Sequence, residues 1–492
     1  MQSGFRHLLN WSSLVSLLPW ITLTGLLFLA PNLDIFPFGF IYDEKRILEI
    51  TWLSLILLVG IVTPALVTNT SHLVTGLKKS RHWLLILLLF FGGLSVIYAP
   101  SPPHALQEYA LFLAITMAIF ILAATTNLNR NTVFFFIAGI VFFNLYYLAG
   151  LTGGLAATII KGIPVDWPYP VYGFTNIRFF NQYMVPTFPL MVGLPLLMKS
   201  RVNSKLIALF ICILPVWSFF LFYTGSRGAP LAIIVSGILV ALLYRSQAYG
   251  YLKLLTFSLI IGYLIFAVFK SSPELFSTQI GKLPDVVERS INAPGSNSKR
   301  IELIGIAWDH FQANPILGIG PMHFTWGHTD IPGHPHNSIM QVLSEWGLIN
   351  SMLLLMLVWA GLTKWFSFSR DAVLVENQQQ SSLLIILTAA FLSGGIYSLF
   401  SGVTIMPMGQ LMMTAITALM TGQYFKEKIT VSPATNMILP RIITILAIGG
   451  AAIILLHSTL PDLSARATGQ VFYLDLSVRN LGPRFWQFGS TP

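Results

Sequence analysis

Long apolar runs separated by short polar breaks dominate this chain. Residues 83–99 (WLLILLLFFGGLSVIYA), 206–224 (LIALFICILPVWSFFLFYT) and 442–459 (IITILAIGGAAIILLHST) contain no charged side chain apart from the terminal His457. Each approaches the roughly 20 apolar residues that a helix needs to cross the hydrocarbon core of a bilayer. Thirteen such segments are centred near residues 21, 57, 91, 117, 141, 191, 215, 237, 262, 355, 392, 415 and 450. The pattern predicts an all-α, polytopic integral membrane protein of about 12 to 13 transmembrane helices. The first run contains Pro19 and lacks a small-x-small cleavage site, so it reads as an uncleaved span.

The polar breaks divide unequally. The expected organisation is a transmembrane domain over residues 1–460 with a loop at 151–182 and a large loop at 270–346 inserted, followed by a tail at 461–492. Within the large loop, NAPGSNS (292–298) reads as a flexible lead-in. Ile301, Ile304, Trp308 and Phe311 then fall at helical spacing and predict an amphipathic helix near the membrane surface. Asn314-Pro315 ends it, and ILGIGPMHF predicts a bent backbone. Asn337 is placed to cap a further helix with an apolar face of Ile339, Val342, Leu343 and Trp346. Its other face, Ser338, Gln341 and Glu345, is expected to meet a solvated cavity or water.

Composition supports lipid as the solvent: 55% of residues are hydrophobic, only 9% are charged, and the mean hydropathy is +0.73. The net charge of +10 is an orientation signal. With a cytoplasmic N-terminus, the short inner loops collect Lys78, Lys79, Arg81, Lys199, Arg201, Lys205, Arg245, Lys426 and Lys428, while the long loops face outward with a slight acidic excess. No basic face with interleaved aromatics occurs, so nucleic acid is not an expected partner. The single cysteine, Cys212, lies within a span and excludes an intrachain disulfide; it reads as a small buried hydrophobe.

Candidate chemistry therefore sits in the outer segments. Arg227, in GSRG between two spans, is costly at the rim of the hydrocarbon unless it snorkels or meets an anion, and the flanking glycines would let backbone N–H groups approach one. Arg300, beside Lys299, is expected to open the amphipathic helix, where two cations oppose the helix dipole and a bound phosphate would reverse that cost. Arg178, in NIRFFNQ just before a span, is a third candidate. His334 and His336 flank Pro335; no zinc or two-metal motif accompanies them, and a loop histidine suits proton transfer better. The outer face lacks an Asp-x-Asp pair, a Gly-x-Ser-x-Gly elbow and a Walker loop. Metal-dependent nucleotide-sugar transfer, serine hydrolysis and ATP use therefore leave the leading set.

GSRG at the outer end of a span, an Arg followed by NPILGIGPMHF, and then HPHNSIMQVLSEWGLIN, with NIRFFNQ upstream, resemble the O-antigen ligase and polymerase superfamily over roughly residues 170–360. The resemblance implies a GT-C-type, metal-independent, cofactor-free inverting glycosyltransferase in the bacterial inner membrane. Its donor would be an undecaprenyl-pyrophosphate-linked glycan at the periplasmic face, and its expected acceptor the lipid A core. Residue by residue, it makes His336 the catalytic base and Arg227 and Arg300 the pyrophosphate-side arginines. Arg178, His334 and Asn337 are further substrate-side candidates. An O-antigen or exopolysaccharide polymerase and a protein O-oligosaccharyltransferase use the same donor chemistry. A lipid-linked sugar flippase would instead need polar groups within the spans near the midplane.

Overall fold

The computed structural model describes residues 11–32, 41–75, 79–126, 132–161, 171–174, 177–199, 202–271, 294–328, 331–429, 438–467 and 485–486. The regular elements among them are all helical, and each of the predicted span centres falls in a helix. In chain order these are α1 (Trp11–Asn32), α2 (Ile41–Val62), α3 (Pro64–Thr75), α4 (Lys79–Ile97), α5 (Pro102–Thr126), α6 (Thr132–Ile160), α7 (Ile177–Met198) and α8 (Ser204–Tyr223). They continue with α9 (Gly228–Tyr244), α10 (Tyr249–Ser271), α11 (Pro294–Ala313), α12 (Ser338–Val375), α13 (Gln378–Tyr397), α14 (Pro407–Ile429) and α15 (Ile438–Ala467). Among the described residues, seven stretches are long and apolar enough to cross a bilayer, or eight if α2 and α3, which meet at 96°, form one broken span. One of them, Gly228–Ser271, spans 44 residues. It is a helical hairpin, because a 3₁₀ turn at Arg245–Ala248, entered with Arg245 at φ 48°, separates α9 from α10.

Helix α7 forms the centre and is buried along almost its whole length, packed most extensively against α13. Its three prolines each remove a helix N–H, and the carbonyl of Val185, freed by Pro189, accepts a hydrogen bond from the Ser393 hydroxyl of α13 at 3.2 Å. Helices α8 and α10 approach closely because Gly262 lies against Ser218, where a Cβ would stand 2.3 Å from the serine Cβ, and the Ser218 and Ser258 hydroxyls pair between them. The outer helices α9, α10, α12 and α15 turn rows of large apolar side chains outward, including Leu242, Val268, Leu355, Trp359 and Leu446. Apolar rows of this extent need lipid as solvent, so the chain is a multi-pass membrane protein. Cys212, expected to be buried, is exposed on α8: lipid accepts a thiol as readily as a core does.

Loop boundaries shift. The loop expected to begin at residue 151 begins after Ile160, because the Ala-rich GGLAATII continues α6, and α7 already starts at Ile177. Residues 162–170 and 272–293 lie outside the described residues. Helix α11 starts at Pro294, inside the segment expected to be flexible, since proline at a first helical position has its φ preset and lacks only an N–H that would go unpaired. The spans are also less free of charge than the runs suggested. The first turns of α2 bury Asp43, Glu44, Lys45, Arg46 and Glu49. There Arg46 donates to Glu49, to Gln410 Oε1 (2.7 Å), to the carbonyl of Ile405 and to that of Phe485 in the tail (3.0 Å).

Candidate functional site

Five side chains from five parts of the sequence meet at one end of the bundle. Arg178 stands in the first turn of α7, and Arg227 immediately precedes α9. Arg300 projects from α11, His336 lies in the loop before α12, and Tyr397 ends α13. Lys199, Lys205, Arg245, Lys253, Arg370 and Lys426 lie at the other ends of α7, α8, α9, α10, α12 and α14. Basic residues therefore occur at both ends.

The GSRG turn reverses the chain between α8 and α9. Gly225 adopts φ 63°, a left-handed conformation that favours glycine, and Gly228 lies so close to α13 that a Cβ would stand 2.9 Å from Phe400. Both glycines thus have a folding role of their own. Their packing seats Arg227 beside Tyr397, whose hydroxyl contacts the Ser226 hydroxyl at 3.4 Å and bonds Ser401. The Ser401 hydroxyl in turn accepts from Gln182 Nε2 of α7 at 2.8 Å. A polar chain Gln182–Ser401–Tyr397–Ser226 therefore underlies the arginines. Tyr397 and Ser401 were not expected from sequence; the only signal was the clustering of Ser and Gly in SGGIYSLFSG at the end of an apolar run.

Arg300 lies further into α11 than its sequence suggested. The helix begins six residues earlier, so Arg300 stands in the second turn and the dipole argument for an anion does not apply to it. Its environment makes a stronger case. Although exposed, Arg300 has its guanidinium pKa held below the ordinary value by loss of hydration, then by the charges of Arg178 and Arg227. Three like charges held together form a concentrated positive field.

Helix α11 and the start of α12 present their faces the other way round from a water-soluble protein. The stripe Ile301, Ile304 and Trp308 is exposed, and α11 packs inward through Leu303 and Ala307 against Phe324. In α12, Ile339 is exposed, whereas Gln341, Ser344 and Glu345 are buried. The polar stripe expected to meet a solvated cavity or water meets the 315–328 loop instead: Glu345 Oε1 accepts the Phe324 N–H at 3.0 Å and Oε2 accepts from Gln341 at 3.3 Å. Helix α12 breaks at Gly347 (φ 72°, ψ −179°). The freed carbonyls of Ser344 and Glu345 accept from Ile319 and Gly320 (both 2.9 Å), and the Leu348 N–H donates to Pro315 O at 2.8 Å. The bent ILGIGP segment is thus stitched into a gap in a span, which satisfies backbone groups that lipid could not.

This stitching fixes the histidine loop. The Asn337 side chain caps α12, with Oδ1 accepting from the N–H groups of Ile339 and Met340 at 3.0 Å each, while Nδ2 donates to Leu399 O at 3.3 Å. Asn337 therefore ties the loop to the end of α13. His334 is buried, its ring lying on Gly402, where a Cβ would come within 2.8 Å of it. His334 Nδ1 accepts the His336 backbone N–H at 3.1 Å, so its proton resides on Nε2, and the two rings meet edge to face at 4.2 Å. His336 adopts φ 54°, a conformation that histidine tolerates better than most residues. Its pKa is lowered to about 3, first by burial and then by Arg178 and Arg300. His336 is consequently neutral at physiological pH, with a ring nitrogen able to accept a proton.

Residues 207–358 match a family model described as O-antigen ligase. The matched stretch runs from α8 into α12 and contains Arg227, Arg300, His334, His336 and Asn337, whereas Arg178, Gln182 and Tyr397 lie outside it. No curated protein matches the chain.

Proposed function

We propose, from the premise that this chain carries an O-antigen ligase domain, that it is an inverting glycosyltransferase of the bacterial inner membrane. O-antigen ligase-like glycosyl transfer is the general function of that family. The finer reading is that the protein moves a glycan from undecaprenyl pyrophosphate to the lipid A core at the periplasmic face. The observation that carries this reading is a cluster of three guanidiniums at one end of the bundle, two of which, Arg178 and Arg300, act on a neutral histidine.

In this reading an acceptor hydroxyl oxygen attacks the anomeric carbon of the donor sugar from the face opposite the diphosphate. The new C–O bond forms as the bond from that carbon to the diphosphate oxygen breaks, and the electron pair leaves on the diphosphate. His336 takes the hydroxyl proton. Arg178, Arg227 and Arg300 stabilise the charge that grows on the leaving group, and their planar forks suit phosphate oxygens. Binding the diphosphate also neutralises the two cations that depress the His336 pKa, so the base strengthens as the donor arrives. His334 and Asn337 hold the loop that carries His336.

Deletion of the gene tests the acceptor. Long lipid-linked chains retained while lipopolysaccharide loses its cap is the expected phenotype. Lipopolysaccharide bearing a single repeat would assign a polymerase instead, and loss of glycoprotein alone would assign a protein O-oligosaccharyltransferase.

A further inference from the structure

Directly below the arginines, α7 carries two carboxamides that the fold leaves incompletely bonded. Asn181 and Gln182 follow Arg178 by three and four residues, which places them on its side of the helix one turn deeper. Both are buried, at 0% and 1% exposure. Among the described residues, Asn181 Nδ2, Asn181 Oδ1 and Gln182 Oε1 have no hydrogen-bond partner. Each such atom is costly in an apolar interior, because it loses its bonds to water and gains none in return. Three on consecutive residues are a large expense for a central helix that otherwise buries Phe180, Met184, Val185 and Phe188.

Their position indicates what they await. The other end of the Gln182 amide is already committed, since Nε2 donates to Ser401, which bonds Tyr397 beneath the arginines. The free end is therefore a carbonyl oxygen, held in place and able only to accept. A diphosphate offers oxygens that accept and carry negative charge, so a carboxamide oxygen cannot recognise it. A sugar offers hydroxyl donors, and an N-acetyl sugar an N–H as well; Asn181 supplies one more acceptor together with a donor. We propose that Asn181 and Gln182 receive the donors of the sugar bonded directly to the diphosphate, and so select and position the ring whose anomeric carbon is attacked. This inference rests on the glycosyl-donor reading above.

The test compares two lipids on purified, detergent-solubilised full-length protein: a polyprenyl diphosphate without sugar, and the same lipid carrying one N-acetylhexosamine. Wild type should bind the glycosylated lipid more tightly. Asn181→Leu should abolish about five- to thirty-fold of that preference, as expected from one or two hydrogen bonds, and should leave affinity for the bare diphosphate unchanged. Because Asn181 has no partner to lose, the same substitution should hold or raise the melting temperature of the ligand-free protein. Gln182→Met should reduce the preference likewise. Variants that keep the full preference, or an Asn181→Leu protein that melts lower while binding normally, would mean that the amides serve a structural water and would overturn the proposal. Equal binding of both lipids by wild type would overturn it as well. Wild type that binds neither lipid would overturn the functional reading and this inference together.

Discussion

His336 owes its usefulness to where its neighbours put their charge. With Arg178 and Arg300 close by and little hydration, its pKa falls to about 3, so the free protein presents an unprotonated imidazole well below neutral pH. A bound diphosphate cancels those charges and moves the pKa upward. The two pH profiles of transfer should therefore separate. The acid limb of kcat/KM, which reports the free enzyme, should stay flat through pH 6.5 and below, while that of kcat, which reports the donor complex, should break at a higher pH. Acid limbs of both that break together near 6.5 would mean that the arginines do not act on the histidine. The arginines themselves should not tolerate lysine: Arg227→Lys and Arg300→Lys are each expected to cost on the order of 100-fold in kcat at matched expression, because an ammonium lacks the planar fork. Near wild-type transfer by either variant would demote that residue to a solvated charge. At this scale the sequence was informative where a residue was chemically out of place: a cation at an apolar rim, a histidine in a Gly-Pro-rich loop. It was silent on Tyr397 and Gln182, since a tyrosine or an amide near the end of an apolar helix looks ordinary until another helix closes over it.

Two glycines decide how the active loop is held. Gly347 breaks α12 with ψ near 180° at positive φ, a region essentially restricted to glycine, and a Cβ there would lie 2.4 Å from Gly318 N and Ile316 O. Gly318, at φ 74°, would bring its own Cβ within 2.3 Å of the Glu345 carbonyl carbon. Gly347→Ala should lower the melting temperature in detergent and abolish transfer, as unstitching the 315–320 segment releases the loop on which His336 stands. A variant as stable and active as wild type would show that the stitching is dispensable. The tail makes a separate clamp: Trp486 Nε1 donates to Asp462 at 2.7 Å, and Asp462 also accepts from Gln107 at the same distance. The helices themselves were legible from hydropathy because twenty apolar residues in lipid have no better way to satisfy their backbone. Which way α11 and α12 face was not legible. Periodicity finds an apolar stripe at Ile301, Ile304 and Trp308 but gives no hint whether lipid or protein covers it, and here the protein took the polar side of α12.

The whole molecule is polar in its layout: the arginine cluster at one end, the basic anchors at the other. If the anchors obey the positive-inside rule, the site faces the periplasm. Reporter fusions after residues 202 and 427 should then report cytoplasm and a fusion near residue 295 periplasm; the reverse would put the site on the wrong side for a periplasmic donor. The outcome that bears most directly on the account is glycosyl transfer by the purified protein in proteoliposomes, supplied with an undecaprenyl-diphosphate-linked glycan and lipid A core. His336→Asn suits the comparison, since asparagine tolerates the left-handed backbone at this position and isolates loss of the base from strain. Wild type should form the glycan–core bond at the same rate with and without EDTA, and His336→Asn should lose roughly 100- to 10,000-fold while still binding donor. Substantial transfer by His336→Asn, or wild-type transfer abolished by EDTA and restored by added metal, would contradict a mechanism built on arginines and a histidine base.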